Sequence, residues 1–379
     1  METTGKKKIR VAIVNWNGAG GGTERSLRDF AKFADQESFE VRFYFLFTNG
    51  VMAEQISAFG YRTEFLGWKH WTTLKGRYDL LATIRRFRPD IVHVHVVSPL
   101  IRCLMKWFVP GAHLIASEHG PLVEILDNFP AAYPSYILNK LDYLFPERIV
   151  VYSRAMAEAV HRHYRKRKEN ILLCRLGVDL TRFDPESCGH IEILGNAELG
   201  AFRIGYVGRI LNRHKGTDLI PHVARKILEL GTSDFKVVIV GDGPDREPVE
   251  DLSRRLGVLE KISFAGWQDD IPAWMKSFDV LLVPSRFEPF GLVVSEALAM
   301  GTRVVAFDVG GIREATAGSE DAFLVPSEDC DAMAKAIIKI KGKYGKTRSC
   351  ASRERIAEMY SSRNMAMEME TIYRVVLSG

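Results

Sequence analysis

Short, strongly apolar runs alternate along the chain with longer segments whose apolar residues recur every three or four positions. In the first half the runs are IRVAIV (9–14), VRFYFLF (41–47), IVHVHVV (91–97), HLIASEH (113–119) and RIVVYS (148–153). The amphipathic segments between them predict helices over 23–34, 52–59, 78–87 and 136–143. The second half repeats the rhythm with RIGYVG (203–208), KVVIVG (236–241), KISFAG (261–266), DVLLVPS (279–285) and RVVAFD (303–308). Runs as apolar as VVIV and VLLV suit strands buried on both faces, as in a parallel sheet covered by helices. Two such series predict an α/β chain of two Rossmann-like, doubly wound domains with right-handed crossovers. The stretch 176–202 shows no clear periodicity and reads as the connection between them. The expected domains are 1–185 and 186–360, with a last amphipathic helix over 361–379 crossing back onto the first. Open parallel sheets bind ligands beyond the carboxyl ends of their strands, so two facing sheets would put the default site in the cleft between them.

Composition narrows this picture. A chain of 379 residues is too long for one ordinary core, and 46% apolar with 26% charged residues excludes general disorder. No stretch approaches the roughly 20 apolar residues that span a bilayer. The start METTGKKK runs straight into a strand with no apolar core or cleavage site, so no signal peptide is expected. Five scattered cysteines form no C-x-x-C pair, which points to free thiols in a reducing cytoplasm and to no metal site. The net charge of +5 is mild, and no nucleic-acid partner is expected. Part of that charge is concentrated in HRHYRKRK (161–168), which reads either as a solvated helix end or as a patch facing anionic lipid headgroups at the inner face of a membrane.

Three clusters carry candidate chemistry. After the first strand comes NWNGAGGGTE, where Gly21, Gly22 and Thr23 open a helix and let backbone approach a ligand. It is not a dinucleotide fingerprint, because Thr23 stands where the last glycine would be and no acidic residue ends the second strand. After the first strand of the second domain comes GRILNRHKG, in which the fork of Arg209 and the point charge of Lys215 suit a diphosphate. The sharpest cluster is PSRFEPFGLVVSE. Here a buried strand ends at Pro284, Glu288 lies in the following loop, and a helix opens near Gly291. The amides of Gly291 and Leu292 can hold phosphate oxygens, and Glu296, more than a turn further, can accept hydrogen bonds from a ribose. The bland alternatives are a surface carboxylate at Glu288 and a dipole-complementing acid at Glu296.

With these residues the chain resembles the retaining glycosyltransferases of family 4, which have the GT-B fold. The resemblance spans nearly the whole sequence: GGGTE, PDIVHVH (89–95), GVDLTRFDP (177–185), GR…KG (208–216), VGDGP (240–244), Glu288-x7-Glu296 and GGIRE (310–314). It implies that Arg209 and Lys215 grip the diphosphate of a donor sugar nucleotide and that Glu296 binds its ribose. Glu288 and the backbone of Pro289, Phe290, Gly291 and Leu292 would face sugar and phosphates, and Gly21 and Gly22 would approach from the first domain. His119, in SEHG, matches the family's histidine near the reacting centre; read alone it is a satisfied strand-end residue. Gly241, Gly243 and the Gly266–Trp267 region would flank the base. Two departures stand out: one extra residue between Arg209 and Lys215, so that the loop must bulge, and Leu176 where the family usually has Asn.

The resemblance also implies chemistry. The expected reaction moves a hexose or N-acetylhexosamine, with retention, from a UDP-sugar first or a GDP-sugar next. It needs no cofactor and no metal, because the cations meet the leaving charge. The acceptor would be a hydroxyl of a glycan, glycolipid or small molecule, as in bacterial polysaccharide or glycoconjugate assembly. Trp68, His70 and Trp71 in GWKHWTT, with Thr23, could border that acceptor; the aromatics could equally be a packing cluster. Two rivals keep the same ligand, an epimerase of the same fold and a non-catalytic sugar-nucleotide binder.

Overall fold

The computed structural model describes residues 7–70, 73–95, 99–120, 145–189, 191, 201–349 and 351–378. Trp71, Cys350, the end of the expected strand at 96–97 and the expected helix at 136–143 lie outside these residues. The chain forms two compact units, 1–177 with 362–379, and 178–361.

The first unit is built on a seven-stranded sheet ordered β3-β2-β1-β4-β5-β6-β7. Its strands are β1 (Ile9–Asn17), β2 (Phe39–Thr48), β3 (Arg62–Phe65), β4 (Ile91–His95), β5 (His113–Ser117), β6 (Arg148–Val151) and β7 (Ile171–Leu173). Every pairing is parallel. The helix Ser362–Ser378 belongs to this unit and packs on the helix Gly22–Phe33. Its Tyr373 is fully buried, and the ring meets Phe30 edge-on at 6.1 Å. A Tyr of this size buries on the order of 150–250 Å², so the helix is part of the core rather than an appendage.

The second unit has six parallel strands ordered β10-β9-β8-β11-β12-β13. They are β8 (Phe202–Val207), β9 (Phe235–Val240), β10 (Ile262–Gly266), β11 (Val280–Val283), β12 (Arg303–Phe307) and β13 (Ala322–Val325). Strand order reverses between β8 and β11, the place at which open parallel sheets bind ligands. The apolar runs β11 and β12 are buried at every position, as their composition requires.

The expected strands are all present among the described residues, and the expected architecture of two doubly wound parallel sheets is the one observed. Three strands were not expected, β3, β7 and β13. Each is an edge strand of three or four residues with no fully buried position, so none carries the apolar run that marks the others.

The chain passes between the units after Gly177 and again after Ser361. Val178 pairs with Ser361 in a parallel bridge, and its amide donates to the Tyr360 carbonyl at 2.7 Å. Arg353 binds the carbonyls of Phe183 and Leu180, which ties the VDLTRF segment to the second unit.

Candidate functional site

In the second unit the two loops at the β8/β11 reversal carry the residues singled out by charge and spacing. After β8 the chain passes through Gly208 and the exposed Arg209, whose carbonyl accepts from Tyr206 Oη at 2.8 Å. Asn212–Lys215 then forms one helical turn, closed by Gly216 in the left-handed conformation. The extra residue expected to force a bulge is thus absorbed in a helical turn. That turn delivers Lys215 Nζ to Glu288 Oε2 at 2.6 Å, across 73 positions of sequence. Glu288 is only 8% exposed and also accepts from Ser285 Oγ at 3.3 Å. It is therefore a buried, paired carboxylate and not the surface acid of the bland alternative.

The Glu288 loop is held from below by GGIRE. The Gly311 amide donates to the Glu288 carbonyl at 2.9 Å. A Cβ on Gly310, whose φ is +53°, would fall 2.1 Å from that same oxygen, so only glycine permits the contact. The helix Leu292–Ala299 begins just beyond, capped by Gly291 in the left-handed region. Its first amides have no acceptor within the helix, an arrangement that favours negative charge. Glu296 sits one turn in and is 2% exposed. The Phe290 ring is 1% exposed and packs against Tyr360 at 5.3 Å, so Phe290 can face a ligand through its backbone alone.

The loop after β9 is laid against the loop after β8, backbone on backbone. Gly208 N donates to Val240 O and Ile210 N to Asp242 O, both at 3.0 Å. A Cβ on Gly241 would lie 1.9 Å from the Gly208 carbonyl, and one on Gly243 would lie 2.2 Å from that of Ile210. Close packing alone accounts for these two glycines. Trp267 follows β10 and is 66% exposed.

Two residues that the motifs did not single out hold the cation turn. Arg286 makes a bidentate pair with Asp218 at 2.6 and 2.8 Å, pairs with Glu328, and donates to the Asn212 carbonyl at 2.6 Å. The hydrogen bonds it donates to the Asp218 carboxylate raise its guanidinium's proton affinity above the usual arginine range. The available signal was an arginine in a strand-end loop.

In the first unit His119 lies just past β5, inside a chain of polar groups. His119 Nε2 is 2.7 Å from His95 Nδ1 and 3.1 Å from Tyr152 Oη. Tyr152 Oη donates to Ser117 Oγ at 2.8 Å, and Ser117 Oγ meets His93 Nε2 at 2.8 Å. His93 Nδ1 meets Tyr373 Oη at 2.9 Å. Burial drives His93 and His119 down to about 3 and His95 well below the ordinary imidazole value, so all three rings are neutral near pH 7. His93 and His95 alternate along β4, so both polar side chains point to one face; that i, i+2 spacing was their signal. A small cavity lined by His93, His95, Tyr152 and Tyr373 adjoins them.

The remaining expected positions are scattered. Gly21 and Gly22 are exposed at the start of the helix Gly22–Phe33, with Thr23 half-buried in its first turn. His70 is exposed. Trp68 is buried at 4% and meets Phe47 edge-on at 5.9 Å. That ring belongs to the core, which rules out stacking on an acceptor and leaves the packing alternative. The run 161–168 covers the last turn of the helix Arg154–Tyr164, its left-handed cap at Arg165 and the three residues that follow, with most of its charges in water. Among the described residues no three of His, Cys, Asp or Glu are grouped as metal ligands would be, and no helix is long and apolar enough to cross a membrane.

Comparison with known proteins adds to this geometry. The family model described as Glycosyltransferase Family 4 matches residues 20–182, and that described as Glycosyl transferases group 1 matches 201–341. An uncharacterised glycosyltransferase of Methanocaldococcus jannaschii is 29% identical over 238 residues, 61% of this chain and 60% of its own. The 2-deoxystreptamine N-acetyl-D-glucosaminyltransferase of Streptomyces fradiae is 27% identical over 277 residues, 66% of this chain and 62% of its own. The chain thus spans about three fifths of the length of these two relatives. Anabaena HepE, solved in complex with UDP and glucose, superposes with a TM-score of 0.77 at 19% identity, covering 97% of this chain and all of that one.

Proposed function

This chain belongs to the family 4 glycosyltransferases, with the GT-B fold, and from that premise we propose that it moves a hexose or N-acetylhexosamine from a nucleoside diphosphate sugar to an acceptor hydroxyl. The observation that carries the reading is the meeting of Lys215 and Glu288 at 2.6 Å, where the strand order of the second sheet reverses. A buried cation–carboxylate pair with one face open to solvent is costly to maintain and suits a site that must bind and release a polyanion. In this reading Arg209 and Lys215 bind the diphosphate, the amides of Gly291 and Leu292 add to that grip, and Glu288 faces the sugar. Glu296 receives the ribose. The donor is a UDP-sugar first and a GDP-sugar next; the UDP complex of HepE supports this order, and the N-acetylglucosaminyltransferase relative supports an N-acetylhexosamine as one candidate sugar.

As the glycosidic bond breaks, its electron pair goes to the diphosphate oxygen, and the fixed cations meet that charge before it develops. The acceptor hydroxyl attacks from the same face and passes its proton to the departing phosphate, so the anomeric configuration is kept. His119 is neutral and contributes a hydrogen bond near the sugar, not a proton. No metal is required, and activity should survive a chelator. The acceptor is a glycan, glycolipid or small molecule of bacterial polysaccharide or glycoconjugate assembly, handled in the cytoplasm. The basic helix end at 161–168 would rest against anionic lipid where the acceptor is membrane-bound.

The test is a thermal-shift screen of nucleoside diphosphates and their sugars, followed by proton NMR of the product. A native-state ligand raises the melting temperature. The reading expects stabilisation by UDP or GDP, retention of configuration, and loss of turnover in Arg209→Ala and Lys215→Ala. Inverted product, or near-normal rates in both variants at saturating donor, would refute it.

A further inference from the structure

Lys215 is held by a turn too short to hold itself. Asn212–Lys215 has two backbone bonds of its own, Lys215 N to Leu211 O at 2.9 Å and Gly216 N to Asn212 O at 3.0 Å. A single helical turn fixes several dihedrals for each bond it makes and is unstable in isolation. Two of its carbonyls also accept from the loop after β11. Arg286 Nη1 donates to Asn212 O at 2.6 Å, and the amides of Arg286 and Phe287 donate to His214 O at 2.9 and 3.3 Å. The guanidinium is itself anchored at two further points, by the fork to Asp218 and by Glu328 beyond β13. One side chain therefore ties together the ends of β8, β11 and β13.

We infer that Arg286 is a positioning residue: it sets the cation turn so that Lys215 meets Glu288 and can meet a diphosphate. This rests on the donor reading above. Arg286 is not a third phosphate ligand, because Asp218 and Glu328 already balance its charge and, with the Asn212 carbonyl, take four of its five N–H donors. Nor is lysine an equivalent, since one ammonium cannot supply a fork to Asp218 and a separate bond to Asn212 O in fixed geometry.

The experiment uses the full chain and calorimetric titration with UDP and UMP, or GDP and GMP where the unmodified protein takes guanosine. The β-phosphate is what the cation turn is expected to add, so the ratio of the two affinities reports its placement. Arg286→Met should weaken UDP by about tenfold or more and leave UMP within about twofold. Arg286→Lys should recover part of the loss. In Arg286→Ala, millimolar guanidinium should restore UDP binding where ammonium does not. If Arg286→Met does not fold, Asp218→Asn, which breaks the fork, should narrow the ratio in the same way. An unchanged ratio in a folded variant overturns the inference, and so does an equal loss of UMP and UDP, which would mean general damage. If the unmodified chain binds no nucleoside diphosphate, the donor reading falls and this inference falls with it; normal binding with an unmoved ratio sinks this inference alone.

Discussion

Replacing Gly310 by alanine adds one methyl group to the place that holds the Glu288 loop. The new Cβ would fall 2.1 Å from the Glu288 carbonyl oxygen and 3.0 Å from its carbon, and both are backbone atoms. Contacts under 3.0 Å do not persist, so the loop and the Gly310 peptide must separate by at least 0.9 Å, the difference between 3.0 and 2.1. Alanine at φ +53° adds a left-handed penalty of about 1–2 kcal/mol. Weakening the 2.9 Å bond from Gly311 N adds about 1 kcal/mol. The sum, about 2–3 kcal/mol, corresponds to a fall in melting temperature of roughly 5–10 °C for a unit of this size. Catalysis should suffer more than stability. A shift of about 1 Å in groups that position a reacting centre can cost on the order of 100-fold. The assay is kcat/KM for the donor at a temperature where circular dichroism shows the variant folded. Turnover within about threefold of the unmodified protein would refute the reasoning, because the loop would then tolerate displacement.

Gly342→Ala is the matching control: this exposed helical glycine has nothing within 4 Å of a new Cβ, so the change should stabilise by roughly 0.5–1 kcal/mol with no effect on turnover. Destabilisation in a melting curve would contradict that. Lys215→Met leaves the buried Glu288 without its cation. The cost should be about 1–3 kcal/mol, below that of a fully buried pair because the lysine side chain is 32% exposed. Adding Glu288→Gln should recover most of this in urea unfolding while activity stays lost; an additive double variant would show that the pair is not coupled. The neutral His93 predicts a pH effect of definite sign. Burial lowers it from the ordinary 6.5 to about 3, so between these limits the unfolded state binds the extra proton and stability falls with falling pH. The slope is about 1.4 kcal/mol per pH unit for that ring. His93→Gln should flatten the urea-derived stability profile between pH 6 and 4 by about that amount, and parallel profiles would exclude the assignment.

What could be read beforehand follows burial. Strands such as VLLV and VVIV announce themselves because both faces are covered, and the helix after Gly291 is bounded by glycines that the backbone needs. β3, with the sequence RTEF, is an edge strand whose pairing is set by its neighbour β2 and not by its own pattern. In the candidate site the Glu288-x7-Glu296 spacing was legible because one loop and one helix contain it. The bond from Lys215 to Glu288 was not, since it depends on how two strands 73 positions apart are ordered. Arg286 was passed over inside a recognised phrase, because its partners Asp218 and Glu328 come from two other loops. Trp68 could be read either as bordering an acceptor or as packing, and its ring, closed on Phe47, takes the packing alternative.

The first unit is completed by residues that are synthesised after the whole of the second. Its sheet emerges from the ribosome early, yet Tyr373, which meets His93 and covers Phe30, comes only after the second unit has been made. The second unit is contiguous from 178 to 361 and has all of its parts sooner. Folding during synthesis therefore finishes the second unit before the first, against the usual order from N-terminus to C-terminus. Throughout that interval the first sheet waits with the apolar face of the helix Gly22–Phe33 uncovered. A messenger cut short after residue 361 would leave the protein with one sound half and one that chaperones must hold.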